Sequence, residues 1–212
     1  MTASTTPCCK NETSAGRFRR GLWRLCAAAA FAVAAVAAHA GSIEPLSGSL
    51  TLADDSNYQL TAEFGIDLGA HLEEAVSRGV PLYFKLDFEL VRPRWYWFDE
   101  RVAGESIVHR LSYNALTRQY RLSSGALNQN FASFADALRV LSHVVVLRVV
   151  DKSALHSGEI YNASMRLSLD QAQLPKPFQV ESIASRDWQV DTKVLRWQFI
   201  PLDKNNFGFV VK

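Results

Sequence analysis

The densest run of chemically capable side chains in this sequence is Arg92-Pro93-Arg94-Trp95-Tyr96-Trp97-Phe98-Asp99-Glu100-Arg101. Exposed Trp and Tyr rings stack on sugars or anchor a protein partner, and arginine supplies polar contacts beside them. Arg92, Arg94, Trp95, Tyr96, Trp97 and Arg101 are therefore the candidate partner-binding residues, and the expected partner is another protein of the cell envelope. The competing account puts Trp95 and Trp97 over one end of the core with Tyr96 half exposed. Neighbours on an extended chain point to opposite sides, so four consecutive rings do not all enter one core face. At least one of Trp95, Tyr96 and Trp97 is expected to stay exposed.

Other chemistry is sparse. His71, His109, His143 and His156 do not stand at metal-ligand spacing with another His, Asp or Glu, so no metal site is assigned. No G-x-S-x-G elbow, phosphate-binding loop or dinucleotide fingerprint occurs. No catalytic residue and no cofactor are assigned. An enzyme here would need a site assembled only in space. Asp151 and Asp170 read as turn-forming carboxylates near strand ends. Leu174-Pro175-Lys176-Pro177-Phe178 reads as an extended connector, because two prolines fix φ and remove donors.

The first 40 residues set the compartment. Arg17, Arg19, Arg20 and Arg24 precede an uncharged stretch from Leu25 to Ala40, which ends in Ala38-His39-Ala40 before Gly41. That is the pattern of a cleavable secretory signal. Its sixteen residues reach about 24 Å as a helix, short of a hydrocarbon core of roughly 30 Å. Residues 1–40 are thus expected to be removed on export to the periplasm, leaving 41–212 as one globular domain without stable membrane insertion. Of 23 Lys+Arg and 21 Asp+Glu, the leader holds five and one; the remainder carries 18 against 20, a formal charge of −2. A nearly neutral domain gives no support for nucleic-acid binding. Cys8, Cys9 and Cys26 all lie in the leader, so the domain must hold together without disulfides.

Alternation describes the elements that must position the aromatic run. Tyr58, Leu60, Ala62, Phe64 and Ile66 alternate with polar or small residues; so do Leu82, Phe84, Leu86, Phe88 and Leu90, and again Tyr161, Ala163, Met165, Leu167 and Leu169. Ile107, Leu111 and Tyr113, then Tyr120 and Leu122 beyond a turn at residues 114–117, repeat it. Such patterns make antiparallel strands with one buried face. Asp67 caps a short helix carrying Leu68, Leu72, Ala75 and Val76, stopped at Gly79 and Pro81; Ser133 with Asp136 opens a second, carrying Phe134, Ala137, Leu138 and Leu141. His143 to Val150 is almost continuously apolar and either extends that helix or forms a buried strand; its β-branched valines favour the strand. The expected fold is mainly antiparallel β with two short helices, an α+β chain built as a β-sandwich or a curved sheet.

Several separated segments are familiar together: Leu72-Glu73-Glu74-Ala75-Val76 to Gly79-Val80-Pro81-Leu82, Arg94 to Trp97, Leu111-Ser112-Tyr113 to Arg118-Gln119-Tyr120, and Leu169-Asp170 to Leu174-Pro175-Lys176-Pro177-Phe178-Gln179, with Trp188 and Trp197. In this order they resemble a family of exported proteobacterial proteins classed as domain of unknown function 4390. The likeness covers about Leu46 to Phe199; the tail from Ile200 to Lys212 looks peculiar to this chain. The resemblance implies no activity, substrate or catalytic residue. Its one hint is that genes of the family neighbour a membrane sensor kinase. The function expected is a periplasmic binding or interaction module, accessory to an envelope sensor or assembly system. The rival readings are a carrier holding an apolar or glycan ligand between sheet layers, and an enzyme.

Overall fold

Apolar residues at every second position fold here as strands whose alternate side chains meet across one core. The computed structural model describes residues 41–53, 56–96, 98–185 and 188–201. Residues 1–40, Trp97 and the tail beyond Pro201 are among those outside the described residues. Ten strands form two sheets among the described residues. The first sheet runs in the order β7 (His143–Asp151), β2 (Asn57–Asp67), β1 (Gly41–Leu52) and β9 (Val190–Thr192). The second runs β10 (Leu195–Phe199), β8 (Tyr161–Leu169), β3 (Leu82–Arg92), β4 (Glu100–Asn114), β5 (Gln119–Ser124) and β6 (Leu127–Phe131). Every pairing is antiparallel except that of β1 with β9.

The fold is mainly β, as the alternation predicts. Leu82, Phe84, Leu86, Phe88 and Leu90 are all buried, while Tyr83, Lys85, Asp87 and Glu89 face the other way and keep partial exposure. Tyr161, Ala163, Met165 and Leu167 on β8 are buried beside them, and Tyr58, Leu60, Ala62 and Phe64 on β2 face them from the other sheet's side of the shared core. The sheets come close at Gly48 of β1. A Cβ there would stand 2.8 Å from Met165 Cε on β8 and 3.0 Å from Leu195 Cδ2 on β10.

Helix α1 (Gly69–Ser77) starts where Asp67 Oδ1 accepts the Gly69 N–H at 3.0 Å. It ends where the Gly79 N–H donates to Val76 O and the Val80 N–H to Ala75 O. Gly79 has φ +93°, a conformation that glycine adopts without a Cβ clash. Helix α2 (Phe134–Ser142) is capped by Ser133, whose Oγ accepts the Asp136 N–H at 3.1 Å. It bridges β2 and β7 of one sheet to β5 and β6 of the other. His143 to Val150 is a strand, as its valines predict, with Arg148 at φ +58° where the register with β2 shifts, so that Val149 and Val150 are both buried.

The sequence reading departs from the structure at one helix. The segment read as an extended connector instead opens α3 (Lys176–Ala184), a third short helix. Leu174 is extended, as a residue before proline must be. Pro175 O then accepts the Phe178 N–H at 2.9 Å, with Pro175 and Pro177 in or beside the first turn. There a missing N–H costs nothing and the fixed φ suits the helix, so prolines that forbid a central strand are compatible with a helix start.

Candidate functional site

The aromatic run is the tip of the hairpin that joins β3 to β4. Trp95 is 95% exposed, Tyr96 68% and Phe98 86%. Trp95 and Tyr96 meet edge to face at 5.2 Å between ring centroids. Exposure expected of at least one ring is found at both Trp95 and Tyr96, and the end-cap account fails for Trp95. Exposed aromatic surface of this kind is unfavourable in water and marks contact surfaces.

The arginines do something else. Arg92, at the end of β3, and Arg94 both donate to Glu100 Oε2 at the start of β4. Arg92 Nη1 also donates to Glu159 Oε2 at 3.1 Å. The hydroxyl of Tyr161, a fully buried residue, donates to Glu159 at 3.3 Å and accepts the His156 N–H at 2.9 Å. The Arg94 N–H contacts Asp99 Oδ1 at 3.4 Å. This network ties the hairpin base to the segment before β8. Hydrogen bonding to Arg92 holds the Glu100 and Glu159 carboxyls below the usual carboxylate range, and hydrogen bonding to Glu159 raises Arg92. The two arginines nearest the rings are therefore engaged within the protein, at the base of the loop.

Arg101 faces another surface. It precedes a bulge at Val102 and stands opposite Val91, and its Nε reaches Glu89 Oε1 at 3.3 Å. Its guanidinium lies over Gly104, where a Cβ would collide with it. Both belong to the outer face of the six-stranded sheet, away from the core. Cross-strand register builds two adjacent rows there. One is Arg196, Ser164, Glu89 and Gly104; the other is Gln198, Asn162, Val91 and Arg101. Short side chains on β8 between longer ones on β10 and β3 leave an open groove of about 720 Å³, lined by Glu89, Val91, Asn162, Ser164, Arg196 and Gln198 among others. This hollow opens outward rather than between the layers, where a carrier would hold its ligand.

The same face is strongly cationic. Alternation and register turn Lys85, Arg101, Arg110, Arg121, Arg166 and Arg196 outward, against Asp87 and Glu89. Lys85 pairs with Asp87 at 3.0 Å, and Arg110 lies over the Tyr83 ring at 5.8 Å. Arg196 forms no ion pair among the described residues. The sequence reading missed this face because net charge sums over the whole surface. The alternation in β8 already implied that Asn162, Ser164 and Arg166 point outward, but not which strands lie beside them.

Of the sequence-assigned residues, the structure thus brings Trp95 and Tyr96 together at the tip, Arg92 and Arg94 into its base and Arg101 onto the sheet face; Trp97 lies outside the described residues. The histidines stand apart from one another: His71 packs on Trp188 at 5.2 Å, His143 pairs with Glu63 at 3.3 Å, and His109 points inward from β4. Among the described residues no three His, Cys, Asp or Glu side chains gather as a metal site, and no helix is long and apolar enough to cross a membrane.

No curated protein and no solved structure matches the chain. A family model matches residues 45–198, which include most of both sheets, the aromatic hairpin and the outer groove. The chain therefore belongs to the family described as a domain of unknown function, DUF4390.

Proposed function

We propose that this protein is an exported binding module that holds a partner protein of the cell envelope through the tip of the β3–β4 hairpin, as an accessory to an envelope sensor or assembly system. The observation that carries the reading is the exposure of Trp95, Tyr96 and Phe98 on a loop whose base is fixed by Arg92, Arg94, Glu100 and Glu159. A loop tied down at its base loses less conformational freedom on binding than one free at both ends, so more of the aromatic contact is realised as affinity. The basic segment and apolar stretch of residues 17–40 support export.

A photo-crosslinking residue placed at position 95 in cells tests this, with position 116 as the control. Leu116 is equally exposed, at 96%, but lies alone in the β4–β5 turn. The expected result is a discrete adduct from position 95, absent from 116 and competed away by excess wild type but not by a Trp95→Ala, Tyr96→Ala double variant. Equal adducts from both positions would show that the tip has no particular partner. N-terminal sequencing of the envelope fraction is expected to start at Gly41, and a chain retaining residues 1–24 there would overturn processing.

A further inference from the structure

We infer that the outer groove of the six-stranded sheet is a binding site for a carboxylate-bearing saccharide. This assignment is independent of the hairpin tip. The groove's size, about 720 Å³, lies within the roughly 300–1,000 Å³ of small-ligand sites. Its floor and walls are rich in groups that hydrogen-bond hydroxyls. Asn162 and Gln198 stand in one cross-strand row, each with an amide that both donates and accepts. Ser164 adds a hydroxyl one row along. Neighbouring strands place these groups about 4.8 Å apart, and alternate residues of one strand about 6.7 Å apart, spacings on the scale of a single sugar ring.

Charge selects the class of sugar. Glu89, the acidic group on the β3 wall, is neutralised by Arg101 at 3.3 Å. Arg196, on the opposite wall, has no ion-pair partner among the described residues and presents a guanidinium able to grip a carboxylate with two parallel hydrogen bonds. Lys85 is offset by Asp87 at 3.0 Å, but Arg110 and Arg166 extend the positive field along the same face, which favours the approach of an acidic chain. The polar lining is ill suited to acyl chains, and Trp197, the one aromatic residue at the groove, turns its ring into the core, leaving no exposed platform for bases to stack on.

Isothermal titration of the purified protein with tetragalacturonate and with the neutral cellotetraose tests the assignment. Tetragalacturonate is expected to bind at submillimolar concentration and at least tenfold more tightly than cellotetraose. Arg196→Gln should remove most of that preference. Ser164→Leu, which fills the floor from the outer side, should abolish binding of both sugars. If Ser164→Leu loses its cooperative melting transition, Asn162→Ala is the deciding variant, with at least fivefold weaker binding expected. Trp95 does not line the groove, so Trp95→Ala should leave affinity within twofold. Absence of heat with tetragalacturonate at millimolar concentration would overturn the site. So would equal affinity for the neutral sugar, unchanged binding by the deciding floor variant, or a loss at Trp95→Ala as large as at Arg196→Gln, which would move the contact to the hairpin.

Discussion

His109 shows how one misplaced polarity is carried by this core. It faces inward from β4 opposite Phe84, and its Nε2 is buried without a hydrogen-bond partner among the described residues. Burial holds its pKa below the usual 6.5, because the low-dielectric surroundings disfavour the imidazolium. The unfolded chain takes up this proton near pH 6.5, whereas the folded chain resists until the pH is lower. Stability is therefore full above that range and declines as pH falls through it. The melting temperature is expected to drop between pH 7.5 and pH 5.5, and His109→Phe should flatten that part of the profile. Parallel profiles for the two proteins would show that His109 gains its proton as easily folded as unfolded. Glu100 and Glu159 act in a lower window, since carboxyls held below their usual range support the fold above it and lose that support on acidification.

Strands separate the two faces of the same residues. Leu86 is buried in β3, whereas Lys85 beside it points outward and pairs with Asp87. Leu86→Ala should cost about 2–5 kcal/mol through lost burial and a cavity, and Lys85→Ala should fall within about 0.5 kcal/mol of wild type. Comparable losses in a denaturant titration would contradict a half-buried strand. Gly48 makes a second comparison. An added methyl there meets Met165 and Leu195 across the layers, and overpacking of this kind costs about 1–3 kcal/mol. Gly65, whose nearest neighbours would stand 3.8 Å away, should accept alanine within about 0.5 kcal/mol. Equal effects at the two positions would mean that the layers do not close at Gly48. These strands also show what a linear reading can reach. β2, β3 and β8 were legible because each repeats its period over many residues, and the helix cap at Ser133 was legible because its partner is three residues away; at the other helix the N-cap is Leu68, with Asp67 bonding Gly69 from one residue earlier than a cap. β1 was not legible, since Pro45 and Gly48 interrupt its alternation. Neither were β6 and β9, which are short and mostly polar or exposed. The groove was beyond reach for another reason: Asn162, Val91 and Gln198 meet only through register, which pairs residues far apart in sequence.

At the level of the whole molecule, charge and redox chemistry divide between residues 1–40 and the remainder. All three cysteines precede Gly41, so a chain processed at Gly41, as proposed above, should show the same unfolding midpoint with and without reductant. A shift on adding reductant would mean that these cysteines remain attached and paired. Formal charge behaves in the opposite way: the sum for residues 41–212 is slightly negative, yet the outer face of the six-stranded sheet gathers cations from five of its strands. An overall sum near zero can thus conceal a polarised surface, and candidate ligands of this family are better sought face by face.

The parallel pairing of β1 with β9 has a consequence in time. Gly41 lies beside Val190, and Lys193 reaches back to Glu44 at 2.6 Å across a separation of 149 residues. A chain that emerges from its first residue onward must therefore wait for nearly its whole length before the four-stranded sheet gains its last strand. Until then β1 keeps an open edge, and β8 lacks β10. If the chain is exported as proposed above, this order of events would suit it: a polypeptide still missing both partners has two open sheet edges and is not yet the completed fold.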